Sequence, residues 1–292
     1  MVHQEVLNII RLINPGYDVK HLQRIFQYIV NLYEGQLTEY RACNTDYHNL
    51  RHITDTYLAM ARLLHGAHVT DQKFSDREIF LGLASILLHD TGFIQESDDT
   101  DGTGAKYTQN HVRLSIDFVE KHADTLILAS QDVQDLRDII LCTDLQTDIP
   151  AISFSSPKIE LLGKMVATAD LLAQMADHTY LEKLLFLYHE FREGEIGDFK
   201  NEIDFLHHTL NFYPESEKRF QETLDNTCRY MKPHFKARWD INEDPYLRSV
   251  ENQRHFLESI LADKDRSIYR ELKRGKIVET VRQKYGNIGK GD

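Results

Sequence analysis

Cysteine is scarce in this chain. Cys43, Cys142 and Cys228 lie far apart and form neither a CxxC pair nor an even framework, which suits a reducing cytoplasm. Basic residues are also few: 34 Lys plus Arg face 46 Asp plus Glu, for a formal charge of -12. With no Lys/Arg run to offset it, such a chain repels polyanions, so neither nucleic acid nor a membrane surface is an expected partner. Long apolar runs are missing too. The longest nearly apolar stretch, Ile79 to Leu88, falls well short of the roughly 18 residues of a bilayer span. The opening MVHQEVLNIIRLINPGYD has acidic and polar residues where a signal peptide has a positive start and an unbroken apolar stretch. A soluble, cytoplasmic protein is expected.

With 41% hydrophobic and 27% charged residues in 292, the composition is that of an ordinary globular protein able to bury a continuous core. Prolines number only six, and apolar residues recur at three- and four-residue intervals rather than alternately, which predicts an all-α fold. Helices are expected at Val19 to Tyr33, Leu50 to Leu64, Asp76 to Leu88, Gln109 to His122, Asp132 to Cys142, Pro157 to Met175, Leu181 to Arg192, Glu215 to Met231, Tyr246 to Leu261 and Asp265 to Tyr285. Ser156-Pro157 is a start signal, a capping hydroxyl followed by a proline whose missing N–H costs nothing there. Gly194 to Gly197 reads as a hinge. It divides the chain into a first domain, residues 1–195, and a polar, aromatic C-terminal helical extension, residues 196–292. The acidic stretch Glu96 to Tyr107 fails as an EF-hand. With Gly102 sixth, Ser97 stands first and Thr108 twelfth, where the site needs an acid and a bidentate Glu. A mobile loop is expected instead.

Three stretches carry chemistry. In Asp46 to Thr56, His48, His52 and Asp55 are spaced i, i+4 and i+7, which on a helix puts them on one face with the two imidazoles about 6 Å apart along the axis. Ile79 to Asp90 is an all-apolar segment that runs straight into His89 and Asp90. A helix hydrophobic all round is buried, so these two polar groups enter the interior and need partners. In Pro157 to Asp177, Asp170 follows Leu162, Gly163, Val166 and Ala169 on one small, apolar stripe, which predicts a buried carboxylate. Such a group neutralises itself or meets a cation. His52, His89, Asp90 and Asp170 together offer two imidazoles and two carboxylates, a mixed set suited to Mn, Fe, Zn or Mg rather than to a closed structural zinc site.

These residues resemble a known family. Tyr47-His48-Asn49-Leu50-Arg51-His52-Ile53-Thr54-Asp55 is similar to the YHNxxHxxD signature of class I cyclic-nucleotide phosphodiesterases. His89-Asp90 is similar to the doublet of the HD superfamily of metal-dependent phosphohydrolases, Thr143-Asp144 to the phosphodiesterases' following TD pair, and Thr168-Ala169-Asp170 to their last metal aspartate. The order and spacing agree over roughly residues 45–175. The resemblance implies an HD-domain helical bundle in which His52, His89, Asp90 and Asp170 hold a divalent metal and Asp90 bridges to a second ion. It implies that His48 is the general acid, and that a small phosphoester, such as a cyclic or other nucleotide, is hydrolysed by metal-activated hydroxide.

The chain also departs from the family. The phosphodiesterases have a histidine three residues after the HD aspartate, where Phe93 stands here. They steady the general acid with a glutamate from a later helix, where this chain offers Thr108-Gln109-Asn110-His111, and Gln253 is only a loose counterpart of their purine-binding glutamine. Phosphodiester chemistry is thus better supported than a cyclic-nucleotide substrate. His111 and Asp55 are candidates for a second metal or for support of the ligands, and Gln174, Asp177, Lys106 and Arg113 for the substrate pocket. Each has an ordinary alternative as a packed or solvated side chain. Tyr180 to Phe191 reads as core or as a homodimer seam. Two rival readings stay open: a di-iron oxygenase on the same scaffold, for which only His111 and His122 remain as further ligands, and a signalling module that binds metal and ligand without turnover.

Overall fold

A computed structural model describes residues 1–263 and 267–286. Its regular structure is helical. The order is α1 (Val2–Ile13), α2 (Lys20–Tyr33), α3 (Leu50–Val69), α4 (Asp76–Leu88), α5 (His111–Lys121), α6 (Ala123–Leu126), α7 (Ser130–Leu141), α8 (Pro157–Ala176), α9 (Tyr180–Glu193), α10 (Glu202–Lys218), α11 (Met231–Trp239), α12 (Pro245–Ala262), α13 (Ile268–Glu271) and α14 (Ile277–Tyr285). Among the described residues no strand forms, and one antiparallel bridge joins Tyr40 to Glu96. The chain is therefore all-α. No helix of the described residues is long and apolar enough to cross a membrane.

The first core is built around α3, α4 and α8. α4 is buried without interruption from Ile79 to Leu88, at about 1.5–3 kcal/mol for each large apolar side chain. It starts on a capping box formed by Ser75 and Glu78, which satisfies two otherwise orphaned N–H groups. α8 begins as the sequence predicts: the Ser156 hydroxyl accepts from the Ile159 N–H and Pro157 takes the first helical position. α1 lays Val6, Leu7, Ile9, Ile10 and Ile13 against this core.

The sequence reading differs from the structure in several places. α1 and most of α10 are helices it does not anticipate. The single helix expected over Glu215 to Met231 is three pieces: the end of α10, a π-helical turn at Arg219–Thr223 and a 3-10 turn at Thr227–Tyr230. Asp225 and Asn226 between them have φ of 49° and 52°, left-handed values that no helix accommodates. The helix expected over Asp265 to Tyr285 starts outside the described residues, and its described part is broken by Gly275 at φ 67°.

The division at residue 195 does not coincide with the packing. α9 belongs to a second core with Phe205, Leu206, Tyr213, Leu257, Ile260 and Val281. Phe220, Leu224, Cys228, Met231 and Phe235, from the proposed extension, complete the first core. The acidic loop is pinned rather than loose: Lys106 Nζ lies 2.5 Å from Asp99, Arg41 donates to the Asp99 carbonyl, and Glu193 accepts from the Thr103 hydroxyl at 2.7 Å. The segment read as a hinge is tied to this region as well, through Gln109, which donates to the Gly194 carbonyl at 3.0 Å.

Candidate metal centre

Asn49 starts α3 by accepting from the N–H groups of Arg51 and His52. The cap places His48 in the bend before the helix instead of on its face, contrary to the i, i+4 reading. His48 nevertheless remains close to His52, with ring centroids 5.8 Å apart. α4 ends at His89, whose Nδ1 bonds to the Ile86 carbonyl at 2.9 Å. A ring held in this way carries a proton on Nδ1 and turns Nε2 to the carboxylates, where a metal can take the place of a second proton.

Three elements then converge. His52 Nε2 lies 3.3 Å from Asp90 Oδ2 and 3.1 Å from Asp170 Oδ1. His89 Nε2 lies 3.2 Å from Asp90 Oδ2 and 3.5 Å from Asp170 Oδ1. His52, His89 and Asp170 each offer an atom within 4.8 Å of the others. His52, His89 and Asp90 are buried, and Asp170 stays partly open at the mouth, its side chain 16% exposed. That is less burial than its apolar stripe suggests. His52 Nε2, His89 Nε2 and Asp90 Oδ2 are all buried with no hydrogen-bond partner. The carboxylates and imidazoles face one another as ion pairs, but buried polar atoms left without an aligned hydrogen bond are rare. His52 Nε2, His89 Nε2 and an Asp170 oxygen around one small space are three ligands of the kind a divalent ion takes, with Asp90 Oδ2 set against the two imidazoles beside them, so these residues fit the metal that the sequence implies.

The electrostatics agree. Burial opposes charge on His52, yet Asp170 and Asp90 hold its pKa up to about 9. Burial opposes charge on His89 as well, and the same two carboxylates raise its pKa well above the ordinary value. Both aspartates resist burial's upward push and sit below the usual carboxylate range because of the two histidines. The carboxylates therefore attract positive charge to this point, whether it is carried by protons or by a metal.

Around the cluster the sequence candidates separate. His111, first residue of α5, bonds through Nδ1 to the Thr108 carbonyl at 2.8 Å and brings Nε2 to 3.8 Å from Asp90 Oδ1. The Asp90 carboxylate thus turns one oxygen to the cluster and the other to His111. Phe93, at the position where the resembling family has a histidine, stacks on the rings of both His48 and His111, with centroids 4.3 and 4.5 Å away. Gln174 accepts from the Tyr47 hydroxyl at 2.6 Å. Asp55, Gln174 and Asp177 line a crevice beside His52, whose volume of about 10 Å³ is room for one water. Asp177 is engaged by Lys183 and by the N–H and hydroxyl of Thr179. Lys106 is held in the acidic loop, and Arg113 pairs with Asp117 at 3.0 Å on the surface. Gln253 donates to the Asp177 carbonyl at 2.7 Å, a bond to the end of α8.

Glu190 is the residue that sequence reasoning misses. Its Oε2 lies 2.6 Å from His48 Nδ1, and its Oε1 accepts from the Tyr47 N–H at 2.6 Å. It stands in Tyr180 to Phe191, a stretch that reads as core or as a homodimer seam. A carboxylate buried in such a stretch is itself the signal, because it requires a partner. Residues 16–232 match the family model described as Npun_R2479-like, a span that contains the whole cluster, His48 and Glu190. No curated protein matches the sequence.

Proposed function

We propose that this chain, which belongs to the Npun_R2479-like family, is a divalent-metal-dependent phosphohydrolase of the HD type, acting on a small phosphoester, with a phosphodiester such as a cyclic nucleotide the favoured class. The observation that carries this reading is the convergence of His52 Nε2, His89 Nε2 and Asp90 Oδ2, each buried without a hydrogen bond, on Asp170, close to His48, which Glu190 holds. One or two divalent ions bound there supply water activation at neutral pH and neutralise phosphoryl oxygens.

The chain's own residues supply the proton. The Glu190 carboxylate accepts from His48 Nδ1–H, fixing the tautomer and leaving Nε2 to carry a proton to the leaving oxygen. Phe93, stacked on the ring at 11°, keeps it from rotating. Asp90 Oδ1, turned towards His111, suits a second ion. The oxygenase alternative is weakened by His122, whose two nitrogens bond to the hydroxyls of Tyr28 and Tyr40 at 3.1 and 2.6 Å; that leaves His111 alone to complete a second iron.

Elemental analysis of purified protein, followed by assay on bis(p-nitrophenyl) phosphate and a cyclic-nucleotide series with that metal restored, tests the reading. Hydrolysis that disappears with chelator and returns with metal is the expected result. Metal-loaded protein that cleaves no phosphoester refutes it, and iron-dependent oxygen consumption favours the oxygenase.

A further inference from the structure

We propose that a groove between α8, α10, the π-helical turn and α12 is a second binding site. It would take an uncharged or cationic small molecule with an apolar body and a hydrogen-bonding edge. The groove has a volume of about 460 Å³, within the range that accommodates small organic ligands. Met175, Phe220, Cys228, Leu247 and Val250 give it apolar walls.

Tyr213 and Ser216 also line it, three positions apart and so on one face of α10. They are 4% and 3% exposed, and both hydroxyl oxygens are buried without a hydrogen-bond partner. Hydroxyls are seldom left so; neither oxygen meets the open groove until its side chain turns towards it, and a ligand with an acceptor and a donor along one edge would then satisfy both. The π-helical turn carries Phe220 and Gln221 into the lining, a use in keeping with the association of such turns with binding sites.

Charge decides the ligand class. Glu217 and Glu251 stand at the groove, and the one cation there, Arg254, lies 2.6 Å from Glu251 and 4.0 Å from Glu258. Its charge is already offset, so the groove repels anions, the opposite of what a phosphate site requires. Met175 lies about 140° around α8 from Asp170, so the groove and the metal cluster use different faces of one helix.

The test uses the full chain with ¹³C-methyl methionine and three probes of one shape: neutral benzamide, cationic benzamidine and anionic benzoate. The Met175 signal is assigned by its loss in Met175→Leu. Benzamide and benzamidine are expected to shift that signal saturably without moving those of Met60 and Met165, which are buried in the first core. Benzoate should bind at least about tenfold more weakly. Tyr213→Phe with Ser216→Ala should weaken benzamide roughly three- to tenfold, and Val250→Trp should abolish binding by filling the groove. No saturable shift with either favoured probe, equal binding of benzoate, or undiminished binding to the doubly substituted chain overturns the proposal. None of these readouts depends on bound metal or on turnover.

Discussion

Glu190 Oε2 stands 2.6 Å from His48 Nδ1 across 142 positions of sequence, and this contact joins the two cores: α9 packs in the second, while His48 precedes the helix that carries His52 into the first. The proposed proton donor and the candidate metal site are thus positioned by different parts of the molecule.

Glu190→Gln keeps the size of the side chain and an oxygen for the Tyr47 N–H but removes the anion that orients the imidazole. The proton donor would then be loosely held. Turnover of metal-loaded protein is expected to fall roughly tenfold to a hundredfold, and metal content to stay at the wild-type level. His48→Ala should cost more, about a hundredfold or beyond, again with metal retained. An unchanged rate in His48→Ala, under conditions where chemistry limits it, removes this histidine from the mechanism.

Asp170→Ala deletes one carboxylate of the cluster and leaves His52 and His89 facing Asp90 alone. Metal affinity should drop at least about a hundredfold, with activity following it. In the wild type, metal at a hundred times its dissociation constant should add about 2.7 kcal/mol of stability, visible as a rise in Tm that chelator reverses. The variant should show no such rise. A metal-dependent rise of the same size in Asp170→Ala would place the ion elsewhere.

Much of this centre was legible in the sequence because its signals are local. His89-Asp90 follows an unbroken apolar segment, and Asp170 lies on an apolar stripe; both patterns predict polar groups inside, and the structure puts them together. The i, i+4 spacing misplaces His48 because it assumes a helix that Asn49, by capping at the next residue, does not allow to start early enough. Glu190 was missed because its partner is remote in sequence, and helical periodicity carries no information about what a face meets. The break after Lys218 was hidden for a similar reason: the apolar spacing continues through Phe220 and Leu224, which do reach the first core, but by a π-helical turn and left-handed residues instead of one helix.

A buried histidine pair contributes to the response to acid. His65 Nδ1 and His234 Nδ1 lie 3.2 Å apart, so one carries a hydrogen and the other accepts it, and both rings are neutral. Burial, then the charges of Arg238 and His68, lowers the His65 pKa to about 4. Burial, then His65, Arg62 and Arg238, lowers that of His234 to about 2. An unfolded histidine titrates near 6.5, so the unfolded chain takes up protons first; the pair's contribution is complete above pH 6.5 and is lost as pH falls, towards 4 for His65 and on towards 2 for His234. Relative to His65→Leu with His234→Leu, wild-type stability should decline by up to about 1.4 kcal/mol per pH unit for each imidazole in that window. Urea unfolding at several pH values measures it; parallel curves for the two proteins contradict the assignment.

Gly92 fixes the distance between His89-Asp90 and α5. Its N–H donates to the Ser115 hydroxyl at 2.9 Å, and a Cβ added at this position would lie 2.0 Å from the His111 carbonyl oxygen and 2.8 Å from the Ser115 nitrogen. Both contacts are with backbone, so a rotamer change cannot relieve them. In Gly92→Ala either α5 moves away or the turn carrying Asp90 and Phe93 shifts, at a cost of about 1–3 kcal/mol or more. Because His111 starts α5 and faces Asp90 Oδ1, a displaced α5 should weaken binding of a second ion before the first. Calorimetric metal titration of Gly92→Ala is therefore expected to show a lower Tm, the tighter binding event retained and the weaker one reduced. If the tighter event is lost while the weaker persists, His111 does not serve the second position.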